Sequence, residues 1–363
     1  MKTELELNEL ILSVTNKIRT EHPEAILYLD EMPLTVPYQE NPEQVTTNLT
    51  TYYNSLVELQ LKYDTQQSEN QIIKQIDNMP IPEIKTMSTD SVFQNLVIEV
   101  NNCTLSYIDA GSGEIPVLFL HGFPFSKLMW IKQLENLKIT NRVIALDIRG
   151  FGESTYETTP LSIDLFANDL LEFMDKLNIS KANVCGLSMG GYVVLKAFKK
   201  APQRFNSLIL CDTQCSADTA EVKENRLKTI DQIELHGAAD FNEKFIANVF
   251  HPNTLNSKID VVTSLRAAVF ANSKHIITAG LNALANRTET CSILKSIAVP
   301  TLIICGRYDQ VTPLPQSEYI QKNIPNAILH IIDSAGHVSN LEQPEEFNTL
   351  LSDFLVNTSK YIC

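Results

Sequence analysis

From residue 91 onward the chain alternates short apolar runs with helical stretches, and that alternation restricts the folds open to it more than any other feature. The runs fall at 94–100, 103–109, 116–120, 142–146, 182–186, 207–211, 300–305 and 327–332. Helical patterns such as 163–177 and 189–200 separate the later ones. Two opening strands followed by strand–helix repeats predict an α/β fold, a mostly parallel sheet flanked by helices on both faces.

The alternation stops between Cys211 and Pro300. Residues 214–297 carry helical stripes instead, among them Phe241, Phe245, Val249 and Val261, Leu265, Val269. They hold 9 basic and 9 acidic residues. The segment reads as a helical cap of zero net charge inserted into the sheet domain, whose two parts are then 91–213 and 298–363.

Residues 1–63 read as an N-terminal helical extension. Apolar residues at 7, 10, 11, 14 and 18 follow one helical stripe, and Val45, Leu49, Tyr52, Leu56, Leu59 and Tyr63 follow another. Asn41-Pro42 supplies an N-cap and a first-turn proline to the second helix, with Gln44 placed for a capping box. Residues 64–90 read as a linker, because Met79-Pro80-Ile81-Pro82 cannot continue a helix. Ile72, Ile73 and Ile76 could instead extend the helix toward those prolines. Every apolar stripe must bury its face. The expectation for 1–90 is a docking or homo-oligomerisation element, against the alternative of a decoration folded onto its own catalytic domain.

Charge narrows the partners. The net charge is −14, and residues 1–90 hold 15 acidic against 6 basic residues. With no basic cluster, nucleic acid and anionic membrane surfaces are excluded as partners. MKTELELNEL puts acids where a secretory leader has a basic region, and no apolar stretch reaches the ~18 residues of a membrane helix. The expectation is a cytoplasmic protein. The seven cysteines are odd in number and form no CxxC pair, so they read as reduced thiols, three of them inside core strands. The chain lacks a metal-ligand spacing such as HExxH and a nucleotide-binding glycine loop. No cofactor or metal is expected.

The sharpest chemical signal is Gly186-Leu187-Ser188-Met189-Gly190-Gly191, between an apolar run and a helical stretch. It matches the G-x-S-x-G nucleophile elbow, in which glycines let two backbone segments approach around an exposed serine. A serine hydroxyl needs a base, and the base needs an orienting acid. Of the seven histidines, His337 lies just past the last strand and Asp309 just past the strand before it. Both loops fall at the carboxyl ends of strands, where open α/β sheets bind ligands. His330 falls inside a strand, and His236, His251 and His275 fall in the cap. Asp212 and Asp333 compete with Asp309 for the acid role, Asp212 as the more serious rival. His121-Gly122-Phe123-Pro124 follows another apolar run. Its Phe123 amide and that of Met189 are the expected donors to a carbonyl oxygen that gains charge. His121 itself is expected to hold this loop in shape. Asp147 and Arg149 are expected to hold neighbouring loops by hydrogen bonds.

From about 91 to 357 these residues resemble the α/β-hydrolase superfamily. Gly186 to Gly191, Leu210-Cys211-Asp212-Thr213, Ala217 to Glu221, Asn340-Leu341-Glu342-Gln343-Pro344 and the Asp309 and His337 loops look like the 3-oxoadipate enol-lactonase and small carboxylesterase branch. The resemblance implies an α/β-hydrolase fold and hydrolysis of a small-molecule ester or lactone. Catalytic Ser188, His337 and Asp309 would act through an acyl-enzyme, with Phe123 and Met189 as oxyanion hole. Perhydrolases, C–C hydrolases and acyltransferases share this triad, and a non-catalytic binding protein could keep the fold. A carboxylate-bearing lactone would call for a cation in the cap: Lys223, Arg226, Lys228, Arg266 or Lys274.

Overall fold

The computed structural model describes residues 3–22, 49–60 except 51 and 58, and 93–359 except 157–159. The chain divides into a smaller unit, Met1–Met79, and a larger one, Pro80–Cys363. The expected linker 64–90, the Asn41-Pro42 helix start with Gln44, and Cys363 lie outside the described residues.

In the smaller unit, helix α1 (Glu4–Glu21) opens with a capping box between Thr3 and Glu6. Its stripe meets the helical residues at 49–60. Ile18 and Leu56 are buried against each other, flanked by Ile11, Val14, Tyr52 and Leu59. The described parts of the two predicted stripes, 11–18 and 52–59, therefore cover one another.

The larger unit is built on an eight-stranded sheet ordered β1-β2-β4-β3-β5-β6-β7-β8. The strands are β1 (Asn95–Val100), β2 (Cys103–Ala110), β3 (Val117–Leu120), β4 (Val143–Leu146), β5 (Ala182–Leu187), β6 (Phe205–Cys211), β7 (Thr301–Gly306) and β8 (Ile328–Ile332). Only β1–β2 and β2–β4 run antiparallel; the other pairings are parallel. The central strands β3, β4, β5 and β7 are buried at every residue, whereas the edge strands β1 and β8 alternate. That is the burial expected when helices cover both faces of a parallel core.

Helix α2 (Ile131–Leu137) packs against β4, α3 (Ile163–Lys176) against α4 (Met189–Lys200), and α4 directly follows β5. Between β6 and β7 lie five cap helices: α5 (Ala220–His236), α6 (Ala239–Val249), α7 (Pro252–Ser257), α8 (Ile259–Phe270) and α9 (Lys274–Ala285). Helix α10 (Leu314–Asn323) covers β7 and β8, and the short α11 (Ser339–Glu342) precedes α12 (Pro344–Ser359). Among the described residues no helix is long and apolar enough to cross a membrane.

One sequence expectation is corrected here. Cys215 and Cys291 are joined in a disulfide, 76 residues apart in sequence, while Cys103, Cys185, Cys211 and Cys305 are buried thiols outside that bond. The insertion leaves the sheet at one end and returns beside its own start, where the Thr290 amide donates to Cys215 O at 2.8 Å. Sequence spacing does not reveal that return.

Candidate active site

Ser188 sits where β5 turns into α4, at φ 53° and ψ −115°. A serine at positive φ is strained and persists only when its surroundings hold it. Its amide donates to Cys211 O at 2.9 Å, and Thr213 Oγ1 donates to its carbonyl at 2.8 Å. The glycines are required by contact: a Cβ on Gly190 would lie 2.4 Å from Leu120 O, and one on Gly186 2.5 Å from the Gly190 carbonyl carbon.

The His121–Pro124 loop follows β3 and closes against this turn. A Cβ on Gly122 would lie 3.2 Å from Ser188 Cβ, so the loop's backbone passes directly beside the serine. Phe123–Pro124 is a cis peptide. His121 is buried; its Nε2 accepts from Ile148 N–H at 2.9 Å, so its Nδ1 donates to Gly122 O at 2.8 Å. Burial lowers its pKa. It holds the loop in shape. Met189 opens α4, and the first amides of a helix have no intrahelical partner. The loop that carries Phe123 and the first turn of α4, with Met189, thus both adjoin Ser188.

His337 and Asp309 come together. His337 Nδ1 lies 3.0 Å and 2.9 Å from the two carboxyl oxygens of Asp309, and both residues are buried. Asp309 also accepts from Val311 N–H at 2.8 Å, Thr312 N–H at 2.9 Å and Thr312 Oγ1 at 2.8 Å. Burial alone would raise the Asp309 pKa, but the His337 charge and these donors bring it below the usual carboxylate value. For His337, burial works downward and the Asp309 carboxylate more than offsets it, leaving the imidazole above its ordinary 6.5. A base so placed is oriented by its acid, and its Nε2 is the nitrogen left for other chemistry.

The rivals are placed elsewhere. Asp333 is exposed and paired with Arg307 at 2.6 Å. Asp212 bonds Gly306 and Ser339. His330 is exposed on β8, His236 ends α5, His251 caps α7 through Asn253 N–H, and His275 packs on Tyr156. Asp147 accepts from the amides of Lys127 and Glu153, and Arg149 grips Asp169. Both hold loops, as expected. Asp212, Cys305 and Asp309 present ligand atoms within 4.8 Å of one another, but the carboxyl oxygens are already engaged by amide and hydroxyl groups that a cation would have to displace.

Sequence reasoning missed three contributors. Thr312 gives Asp309 two donors. Glu342, wholly buried, accepts from Gly336 N–H at 2.6 Å and from His251 N–H at 2.8 Å, tying the His337 loop to the cap. Lys127 is buried between Asp147 and Glu153. Glu342 stood in the Asn340–Pro344 stretch that carries the family resemblance, but its role there is invisible without the cap.

This fold, with a serine elbow and a buried acid–base pair on adjoining loops, defines an α/β hydrolase. Residues 115–344 match the alpha/beta hydrolase fold family, and the chain belongs to it. It is 32% identical to 3-oxoadipate enol-lactonase 1 of Acinetobacter baylyi over 69% of this chain and 93% of that protein. Among solved structures it resembles a thermophilic esterase from Thermogutta terrifontis (31% identity, TM-score 0.70, 73% of this chain and 99% of that one). It also resembles the enol-lactonase from Burkholderia xenovorans (26% identity, TM-score 0.67, 72% and 100%). Lactonases and esterases among its relatives support a hydrolase.

Proposed function

We propose that the chain hydrolyses uncharged carboxylic esters through an acyl-enzyme on Ser188. The observation that carries this reading is the buried His337–Asp309 pair on the loops after β8 and β7, together with a serine held at positive φ at the end of β5. Ser188 Oγ attacks the carbonyl carbon while its proton passes to His337 Nε2. The Phe123 and Met189 amides stabilise the charge on the carbonyl oxygen. The carbonyl re-forms as the C–O bond breaks, and the alcohol leaves with the proton from His337. Water, deprotonated by His337, attacks the acyl-serine; the acid is released and Ser188 regains its proton.

The preference for an uncharged ester over a carboxylate-bearing lactone rests on the cap. The Phe123 ring packs with Phe151, Phe241 and Phe245 at centroid distances of 5.8, 6.4 and 6.2 Å. Phe241 and Phe245 share one face of α6. Glu243 lies about 200° around the helix from Phe241, so its pair with Arg266 belongs to the opposite face. The other cations that could meet a carboxylate are also engaged: Lys223 with Asn286, Arg226 with Asp218, Lys228 with Glu224 and Lys274 with Glu234. Of the remaining cap cations, Arg287 and Lys258 are bonded, and Lys244 and Lys295 are exposed.

A matched pair of substrates tests this. p-Nitrophenyl butyrate and p-nitrophenyl hemisuccinate differ by a methyl against a carboxylate at the acyl end. Placing that charge against aromatic rings should lower kcat/KM about 100-fold or more for the hemisuccinate. Equal rates would remove the preference for uncharged esters, and no turnover of either would remove the esterase reading.

A further inference from the structure

Asp212 follows β6 and has no part in the acyl transfer above, yet it is 0% exposed and lies between the two loops that matter most. One carboxyl oxygen, Oδ1, accepts from Gly306 N–H at 2.8 Å, three residues before Asp309. The other, Oδ2, lies 2.5 Å from Ser339 Oγ and 3.3 Å from Ser339 N, two residues after His337. Its own amide donates to Ile304 O at 2.9 Å, and its backbone stands at φ 44°, a region that aspartate and asparagine tolerate better than other side chains. We infer that Asp212 is a positioning residue, which clips the Asp309 loop to the His337 loop through both carboxyl oxygens and does so as a neutral carboxyl.

The inference rests on the acyl-transfer reading of Ser188, His337 and Asp309. The neutral state follows from the neighbours. Asp309 and Cys305 present polar atoms within 4.8 Å, Cys211 precedes Asp212 in the chain, and no Lys or Arg pairs with it among the described ion pairs. Two carboxylates in one dry site repel strongly unless one keeps its proton. Burial first, and then the Asp309 charge, push the Asp212 pKa up to about 8, against the smaller opposing effects of His337, Ser339 and Gly306. With its proton on Oδ2, Asp212 donates to Ser339 Oγ across the short separation and still accepts from Gly306.

Asparagine copies that neutral form. It keeps the acceptor facing Gly306, replaces O–H by N–H toward Ser339 Oγ, gives up the 3.3 Å bond from Ser339 N–H to Oδ2, and suits the same backbone. Asp212→Asn should therefore keep kcat within about fivefold, the worth of one neutral hydrogen bond. Asp212→Ala loses both ties and should lower kcat about 100-fold with little change in KM. The wild-type kcat profile should bend near pH 8, where Asp212 ionises, and the Asn profile should not. Melting temperature gives a readout independent of turnover. The folded protein keeps a proton that the unfolded chain releases near pH 3.9, so wild type loses stability as pH rises from about 4 to 8. Asp212→Asn does not, and its melting temperature should gain on wild type across that window and level off above it. A gap that instead widens in favour of wild type above pH 4 would make Asp212 a buried carboxylate and overturn the inference. So would an Asp212→Asn loss of kcat equal to that of Asp309→Asn. Inactivity of wild type on every ester would remove the acyl-transfer reading alone, and the melting series would still decide the state of Asp212.

Discussion

The carboxyl edge of the sheet and the cap both bury acids, but they satisfy them in different ways. At the sheet edge, Asp147, Asp212 and Glu342 each accept from backbone amides of other segments, and Asp309 from amides of its own loop. In the cap, Glu243 pairs with Arg266, and Asp218 with Arg287 and Arg226. An acid tied to an amide fixes where a loop's backbone runs, whatever its side chains. An ion pair between side chains fixes one helix against another and can be exchanged as a pair for apolar groups with little loss. The candidate reacting groups stand on the first kind of support. Of the aromatic residues proposed to meet substrate, Phe241 and Phe245 stand on a helix held by the second kind. Geometry for chemistry is thus separated from the surface that selects the substrate.

The largest effects should come from the sheet edge. Ser188→Ala and His337→Ala should each lower kcat by at least about 10⁴-fold, with Ser188→Ala leaving the melting curve in place. Asp309→Asn should be about tenfold to a hundredfold milder, since the acid orients the imidazole and does not exchange the proton. Asp309 raises the His337 pKa, so wild-type kcat/KM should fall as pH drops through a value above 6.5. In Asp309→Asn that acid limb should move to lower pH, and an unmoved limb would separate the pair. A cap substitution should show the reverse pattern. Glu243→Gln leaves Arg266 buried without its counter-charge, which should destabilise folding by about 3–5 kcal/mol in urea titrations. Its kcat at 25 °C should hardly change, and Glu243→Leu with Arg266→Met should recover most of the stability. A large loss of kcat in Glu243→Gln would end the separation between the two regions. The smallest effect should come from deleting residues 1–88, for which unchanged kcat/KM is expected. The mass of that truncation in solution would show whether the extension joins copies of the chain.

All eight strands were legible within about two residues, because the central ones are short apolar runs closed by turn residues, as doubly covered parallel strands must be. The cap was legible as helices through stripes such as Phe241, Phe245 and Val249. Its return to its own start was not, and so the Cys215–Cys291 bond was missed. Ser188, Asp309 and His337 could be singled out because strand ends and the elbow pattern locate them. Asp212 could be read only as a rival acid, since its ties to Gly306 and Ser339 depend on two loops meeting in space. Lys127 gave no signal at all. Nothing in its neighbourhood distinguishes a surface lysine from one buried between Asp147 and Glu153.

The central claim is that Ser188 is a nucleophile activated by His337. Fluorophosphonate labelling followed by peptide mass spectrometry tests it most directly, because the phosphonyl group forms a bond only with an activated oxygen. The account predicts one adduct per chain, on Ser188, absent in Ser188→Ala and slowed by orders of magnitude in His337→Ala. An adduct on another residue, or labelling of Ser188 that is indifferent to loss of His337, would contradict it.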